Sequence, residues 1–376
     1  MRANNILSAI LLFASTASPA QDGNGATISS PELSGYVIGR YQASLKDGDN
    51  SNSFEIRMAR LSLSGHIFGD FEYRVQGQVN GNTETLGSSP RLIDAFAEWQ
   101  KYGFFKVKAG QFKRPFTFEN PMNPIDQGFM GNAQAVSKLS GSNDRTGEHA
   151  SNGRDIGIQI QGDLLPDASG RCLLHYQAGV FNGQGINTKD ADNRKDLIVG
   201  AWVMPIAGMR VGVFGWAGSH ARKGTWLETE DGNTIERHGT VSLSQYRYAL
   251  SAEYRQADWQ IRSEYIHSTG YGFKTAYQND EDKNDATVNY AQGNKADGFY
   301  ALCIAPVIKG KLKVKARYDL YRRSGSWTDS RTQYEAGLNF LVNKNIEIQA
   351  EYAFINDRSL DRHNYGIADI ELCVKF

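Results

Sequence analysis

The sequence predicts an all-β fold, namely a transmembrane antiparallel β-barrel of about sixteen strands. Segments of about ten residues alternate apolar and polar side chains along the chain, which is typical of strands with two different faces. After residue 20, no apolar run approaches the roughly 18 residues that a membrane helix needs. The connections alternate between short and long, which places all short turns at one end and all long loops at the other. Outer-membrane barrels have this polarity, with short periplasmic turns and long external loops.

The start of the chain, MRANNILSAILLFASTASPA, has the layout of a secretory signal peptide. Arg2 supplies a positive charge, Ile6–Ala14 is a short apolar run, and small residues precede Gln21. The alternative is a membrane anchor, but the apolar run is too short to span a bilayer. We therefore predict a signal peptide over residues 1–20 and a barrel domain over residues 21–376, exported to the cell outer membrane.

The composition argues against several other classes of protein. The chain has 376 residues with Lys+Arg 41 and Asp+Glu 41, so its net charge of zero implies no general affinity for nucleic acid. The three cysteines and seven histidines show neither a disulfide framework nor metal-ligand spacing. Asp94 and Glu98 share one face of a strand and could act as an acid–base pair, but a water-lined wall also needs charges. We expect no enzyme activity, cofactor or metal.

The period-2 segments define sixteen candidate strands. They are Leu33–Ser44, Ser53–Ile67, Asp70–Asn80, Arg91–Lys101, Phe104–Gln111, Arg154–Leu164, Arg171–Phe181, Lys195–Pro205, Gly208–His220, Leu243–Arg255, Asp258–His267, Lys295–Pro306, Gly310–Tyr321, Arg331–Val342, Asn345–Ile355 and Gly366–Phe376. The longer connections include 112–153 and 221–242. A soluble β-sandwich would show the same alternation, but it has no reason to sort its connections by length.

Two segments depart from clean alternation. On the second strand, Phe54, Ile56 and Met58 share one parity, whereas Leu61 and Leu63 share the other. A bulge near Ala59–Arg60 would place both sets on the lipid face, and a misassigned register is the alternative. The segment 195–220 is nearly apolar on both faces and contains Trp202, Phe214 and Trp216. These aromatic side chains either fill space in the lumen or face a neighbouring subunit.

The segment Phe104–Pro121, FFKVKAGQFKRPFTFENP, leads from a strand into the long connection 112–153. A connection of this length in a compact domain is usually functional or disordered. We predict that it is the third long loop and that it folds into the barrel, where it narrows the pore. Its apolar side chains are expected to anchor it against the wall: Phe116, Phe118, Phe129 and Met130.

Three stretches resemble one family: EIRMARLSLSGHIFGDF (55–71), LIDAFAEW (92–99) and AGQFKRPFTFE (109–119). Together they are similar to the phosphate-selective porin O and P family of Gram-negative outer membranes. The likeness continues through YQAGVFNGQG (176–185) to the last strand, so it covers nearly the whole mature chain. It implies a sixteen-stranded barrel, usually a trimer, with inward loops and passive diffusion of solutes. The family's namesakes guide phosphate along an arginine-rich ladder, of which the sequence does not show a full match.

Two basic rows stand out within the predicted barrel, on strands that lie on opposite walls. With one further arginine they form the candidate pore-lining, anion-guiding set: Lys106, Lys108, Lys113, Arg114, Lys311, Lys313, Lys315, Arg317 and Arg74. The Arg114 side chain is the strongest single candidate, because a guanidinium binds phosphate or carboxylate through two parallel hydrogen bonds. The alternative is ordinary lumen charge, because Glu72, Asp94 and Glu98 also point inward.

The sequence thus predicts an outer-membrane porin for small hydrophilic solutes, with anions such as phosphate as the expected substrates. Its expected partners are these solutes, the lipid of the outer membrane and two further copies in a homotrimer, but no nucleic acid. A general, non-selective diffusion porin is the nearest alternative. An outer-membrane barrel enzyme and a secreted glycan-binding β-protein are alternatives of other classes.

Overall fold

A computed structural model of the chain describes residues 29–80, 90–141, 151–274 and 285–376. Apart from one short helix, α1 (Gln134–Leu139), and a 3-10 turn at Pro124–Asp126, its regular elements are strands. The strands are β1 (Glu32–Ser44), β2 (Ser51–Ile67), β3 (Phe71–Gln78), β4 (Arg91–Tyr102), β5 (Phe105–Lys113), β6 (Arg154–Pro166), β7 (Cys172–Phe181), β8 (Asp196–Val203), β9 (Met209–Glu230), β10 (Asn233–Gln256), β11 (Trp259–Thr269), β12 (Gly272–Phe273), β13 (Val288–Asn289), β14 (Lys295–Ile308), β15 (Leu312–Arg322), β16 (Ser330–Asn343), β17 (Ile346–Asp357) and β18 (Asn364–Lys375).

Sixteen of these strands form a closed antiparallel barrel, in which β18 pairs with β1 and completes the ring. Neighbouring strands of the chain are neighbours in the wall, except that β11 pairs with β14. The strands β12 and β13 have two residues each, and they pair with one another in a separate two-stranded sheet. The predicted fold class is therefore confirmed.

The period-2 pattern of the sequence corresponds to the two faces of the barrel wall. Val75 is 43% exposed on the outside, whereas the adjacent Gln76 is 4% exposed on the inside. Ile158 and Gln159, on β6, differ in the same way. A barrel with an apolar outer face and a polar inner face suits a bilayer outside and water inside.

The connections are sorted by length as predicted, with one exception. The backbone N–H and C=O groups of Phe376 pair with those of Gly35, so the ring closes at the end where the short turns lie. The exception is the long loop predicted over 221–242. Instead, β9 and β10 continue as a paired hairpin up to a two-residue turn at Asp231 and Gly232. Both turn residues have positive φ, as the type I′ turn of an Asp-Gly hairpin requires.

The second strand contains a bulge, as the broken alternation indicated. The β1–β2 register shifts where Ile38 and Gly39 face Met58 and Ile56, leaving Arg57 without a direct partner. The bulge therefore lies slightly before the predicted position at Ala59–Arg60. One predicted orientation is wrong, because Met58 packs inside the barrel rather than facing lipid.

In the part of the chain that the structure describes, no helix is long and apolar enough to cross a membrane. The predicted signal peptide, residues 1–20, lies outside the described residues and stays a prediction.

Candidate functional site

The described parts of the connection between β5 and β6, residues 114–141 and 151–153, are called the inward loop below, and they enter the barrel and pack against its wall from inside. Phe116, at 0% exposure, meets the ring of Trp216 edge-on at a centroid distance of 5.5 Å. Phe118 contacts Trp202 and Phe214 in the same manner, each at 5.5 Å. The aromatic side chains of β8 and β9 therefore fill lumen space and anchor the loop. Of the two alternatives that the sequence left open, lumen filling is correct and contact with a neighbouring subunit is not.

A buried ion pair fixes the middle of the inward loop. The carboxylate of Glu119 lies 2.8 Å from Nη2 of Arg262 on β11, and both side chains are 0% exposed. The backbone N–H of Phe118 donates to the carboxylate of Glu264 on the same strand. Burial disfavours the ionised form of Glu119, but the charges of Arg262 and Arg317 outweigh burial and lower its pKa below the usual range.

The tip of the inward loop reaches the far wall, where two of the predicted anion-guiding cations hold it. Lys315 Nζ donates to the carbonyl oxygen of Gly128 over 3.0 Å and pairs with Glu351. Arg317 Nη1 donates to the carbonyl oxygen of Gly131 over 2.9 Å and pairs with Glu335. Because both cations are buried and paired, their geometry is that of loop anchors.

The base of the inward loop uses Lys113 and Arg114 in a similar way. Lys113 donates from Nζ to the carbonyl oxygen of Met122. Arg114 is 3% exposed, and its Nη2 lies 2.7 Å from Asp155 Oδ2. Its Nη1 donates to the carbonyl oxygen of Gly141, where a side chain would collide with the guanidinium. The donors of Arg114 are thus directed at the protein's own groups.

The other predicted site residues lie nearer the open lumen. Lys106 Nζ lies 3.9 Å from Asp163, and Lys108 Nζ lies 3.0 Å from Glu98. Of the remaining three, Arg74 and Lys313 are partly exposed and Lys311 is exposed. Arg74 lies 3.7 Å from Glu72, Lys313 lies 3.4 Å from Asp258, and Lys311 lies in the turn before β15 rather than on the strand.

The structure adds inward-facing arginines on β2, β4 and β6 that the sequence analysis did not select. The positive charges of Arg60, Arg91 and Lys113 each lie close enough to Arg154 to be repelled by it. Arg154 pairs with Asp94 at 2.7 Å, whereas Nη1 of Arg60 has no hydrogen-bond partner among the described residues. The alternation of β2 could have predicted that Arg60 faces inward, but the bulge at Arg57 interrupts that alternation.

A cavity of about 190 Å³, called the wall cavity below, lies between the base of the inward loop and strands β3 to β7. Its charged lining residues are four cations and one carboxylate, and the carboxylate is paired with one of the cations. They are Arg74, Lys108, Lys113, Arg154 and Asp94. By contrast, a larger lumen cavity of about 500 Å³ near α1 is lined by five cations and four carboxylates. Basic side chains therefore outnumber carboxylates most strongly in the lining of the wall cavity, and Glu72 and Glu98 lie just outside it beside Arg74 and Lys108.

An apolar contact joins the inward loop to the opposite wall. Ile125 packs on a cluster of inward-facing side chains from three adjoining strands, β1, β2 and β18. The buried members are Tyr36, Ile38 and Cys373, and Met58 packs beside them. This contact, called the apolar bridge below, attaches the inward loop to this part of the wall.

Comparison with known proteins agrees with this architecture. The family model described as phosphate-selective porin O and P matches residues 35–368. The chain belongs to this porin family. None of the curated protein sequences compared with the porin matches it.

Three solved structures show the similarity of fold. OmpF of Salmonella typhi, in complex with daunomycin, has a TM-score of 0.63 at 13% identity, covering 95% of this chain and 99% of that one. The outer membrane channel DcaP of Acinetobacter baumannii has a TM-score of 0.62 at 11% identity, covering 96% and 100%. A trimer form of OmpT of Vibrio cholerae has a TM-score of 0.59 at 13% identity, covering 94% and 100%. The family and the fold indicate an outer-membrane channel for diffusion rather than an enzyme.

Proposed function

We propose that this porin favours small anions among the hydrophilic solutes that diffuse through it. The observation that carries the proposal is the lining of the wall cavity, with four cations against one paired carboxylate. Low-dielectric walls focus the field of such a group on a passing ion, and this raises the local concentration of anions. Phosphate is one such anion, and the description of the family supports it.

The lining also suits conduction rather than tight capture. Arg74 and Lys108 each have one nearby carboxylate partner, at 3.7 Å and 3.0 Å, and keep further N–H groups available. A solute that binds firmly at one point would not leave, whereas several moderate contacts allow entry and exit. We therefore assign anion guidance to Arg74 and Lys108 first, and loop anchoring to Arg114, Lys315 and Arg317.

Single-channel recording in planar bilayers tests this proposal. In a KCl gradient, the reversal potential of the wild-type porin is expected to show anion preference. Replacing Arg74 and Lys108 by glutamine should reduce that preference, and more strongly at low salt, because salt screens charges. Lys46→Gln, in an external loop, is the matched control for the loss of a cation. A wild-type pore without anion preference would identify a general diffusion porin instead.

We also propose that the porin is exported by its signal peptide and forms a homotrimer in the lipid of the outer membrane. The trimer form of the similar OmpT structure supports this oligomeric state. Chemical cross-linking in outer-membrane vesicles should give a three-chain product. Only single-chain and two-chain products would contradict the trimer.

A further inference from the structure

The wall cavity contains polar groups that a simple anion site does not need. Besides its cations, it is lined by four amide side chains, Asn123, Gln159, Gln161 and Gln177. An amide offers both hydrogen-bond donors and an acceptor, so its orientation decides what it recognises. The acceptors matter here, because an anion without hydroxyl groups has no hydrogen to donate to them.

A chain of hydrogen bonds fixes the orientation of two of these amides. The carboxylate of Glu98 can only accept, so the NH₂ group of Gln161 must face it, and Nε2 lies 2.5 Å from Oε1. The Oε1 of Gln161 therefore faces Gln159, whose Nε2 donates to it over 2.8 Å. Consequently, the amide oxygen of Gln159 is left as an acceptor without a donor among the described residues.

The amide oxygen of Gln177 is also left without a donor in the described part of the chain, because its NH₂ group bonds to the inward loop. Its Nε2 donates over 2.9 Å to the carbonyl oxygen of Pro115, which cannot donate in return. The amide oxygen of Gln177 therefore also remains available. Both glutamines are buried, at 4% and 7% exposure, so their orientations are held by packing as well as by these bonds.

Arg74 and Lys108 line the same cavity as these two acceptors, and Lys108 faces Gln159 in the β5–β6 pairing. Lys108 Nζ lies 4.6 Å from the ring centroid of Phe96, and the guanidinium carbon of Arg74 lies 5.9 Å from it. Phe96 thus holds the two charged groups near one apolar surface. The cavity combines positively charged donors, amide acceptors and an aromatic ring within about 190 Å³. Pockets for drug-sized ligands are larger, so this one suits a small solute.

We propose that the wall cavity selects small organic anions that carry hydroxyl groups, such as sugar acids. The acid group would lie at Arg74 and Lys108, and the hydroxyl groups would donate to the amide oxygens of Gln159 and Gln177. The inference rests on the anion preference proposed above, which it deepens by naming the class of substrate. A site built to hydrogen-bond hydroxyl groups discriminates against analogues without them, because its acceptors then stay unpaired.

Block of the KCl current by added solutes tests the inference. Gluconate carries both a carboxylate and hydroxyl groups, hexanoate has a carboxylate and no hydroxyl group, and glucose has hydroxyl groups and no charge. Gluconate is expected to half-block the current at a concentration about tenfold lower than hexanoate, because two additional hydrogen bonds form. It should also block at lower concentration than inorganic phosphate or glucose. Equal or stronger block by any of the three other solutes would overturn the inference.

Substitutions test whether the two glutamines cause the preference for gluconate. Gln159→Leu and Gln177→Leu, singly and together, should bring the gluconate concentration for half-block close to that of hexanoate. Gln42→Leu is the matched control, because Gln42 is an inward glutamine on β1 that bonds to Asp369 outside the wall cavity. It should retain the preference for gluconate. Circular dichroism verifies that each variant forms the barrel before recording.

Different measurements test the proposed anion preference and the proposed selection of hydroxylated anions. The KCl reversal potential tests anion preference without any organic solute. Anion preference in KCl together with equal block by gluconate and hexanoate would reject the inference and leave the proposed function standing. A preference for gluconate that survives the double glutamine substitution would also reject the inference, because the selecting groups would then lie elsewhere.

Discussion

Arg114 and Asp155 form a buried ion pair that joins the start of the inward loop to β6, with 2.7 Å between Nη2 and Oδ2. Removing one partner of a buried pair leaves an uncompensated charge and costs about 3–5 kcal/mol. We expect Arg114→Ala to lower the free energy of unfolding in urea by about this amount. It should also raise single-channel conductance, because the loop base loses its attachment.

Arg362 and Asp47 provide the comparison for this first prediction, since they form an ion pair between exposed side chains. Exposed pairs contribute about 0–1 kcal/mol. Arg362→Ala should therefore leave the unfolding curve nearly unchanged. If both arginine variants unfolded alike, the pair at the loop base would not stabilise the porin.

The orientation of the wall gives a second prediction. Lysine at an outward position near the bilayer midplane costs roughly 2–4 kcal/mol, whereas an inward position meets water. Val75→Lys should therefore destabilise the barrel much more than Gln76→Lys, its neighbour on the inner face, which lies opposite Asp94 on β4. Urea titration in lipid vesicles measures the difference. Equal costs of the two substitutions would contradict the assigned faces.

The apolar bridge gives a third prediction. A charged side chain at Ile125 would be unfavourable against Ile38 and Cys373, so Ile125→Asp should separate the loop from this part of the wall. The separated surfaces would admit water, and conductance should rise. Asp126→Ala, at the adjacent exposed position, is the control. Unchanged conductance in Ile125→Asp would mean that the bridge does not limit the flow of ions.

A fourth prediction concerns acid and Glu119, whose pKa is held below its usual range chiefly by Arg262 despite the opposing effect of burial. A carboxyl group with a lowered pKa contributes stability above its unfolded pKa of about 4.3 and loses it as the pH falls through the folded value. Glu119→Gln should therefore cost about 1.5–3 kcal/mol at pH 7. The cost should shrink only at pH values below about 4.3.

Urea unfolding of the wild type and Glu119→Gln across pH 3 to 7 measures this fourth effect. Only the difference between the two proteins is informative, because other carboxyl groups titrate in both. A difference that disappeared between pH 7 and pH 5 would contradict a lowered pKa for Glu119.

The sequence predicted the barrel well because its wall is governed by a local rule. Each outward side chain meets lipid and each inward one meets water or the loop, so the period of 2 remains visible along most strands. The rule fails where β9 and β10 extend as a hairpin through Glu228 and Arg237, because polar side chains there occupy both faces. An Asp-Gly turn is the signal that could have revealed this hairpin.

The site was harder to predict, because pairing depends on contacts that are distant in sequence. The guanidinium of Arg114 is suited to binding an anion, but it pairs with Asp155, which lies 41 residues later in the chain. Lys315 and Arg317 have the inward parity that was expected, yet carbonyl groups of the inward loop accept their donors. Alternation therefore predicted which way these cations point, but not which ones remain available to a solute.

The attachments of the inward loop also bear on the order in which the porin folds. Gln134 bonds to Asp319 and Met130 bonds to Glu351, which lie 185 and 221 residues away in the chain. Contacts of such high sequence separation form late, because much chain must first be ordered. The loop can be fixed only after β15 and β17 have joined the wall. A barrel without these two strands would therefore lack the attachments that hold the loop across the lumen.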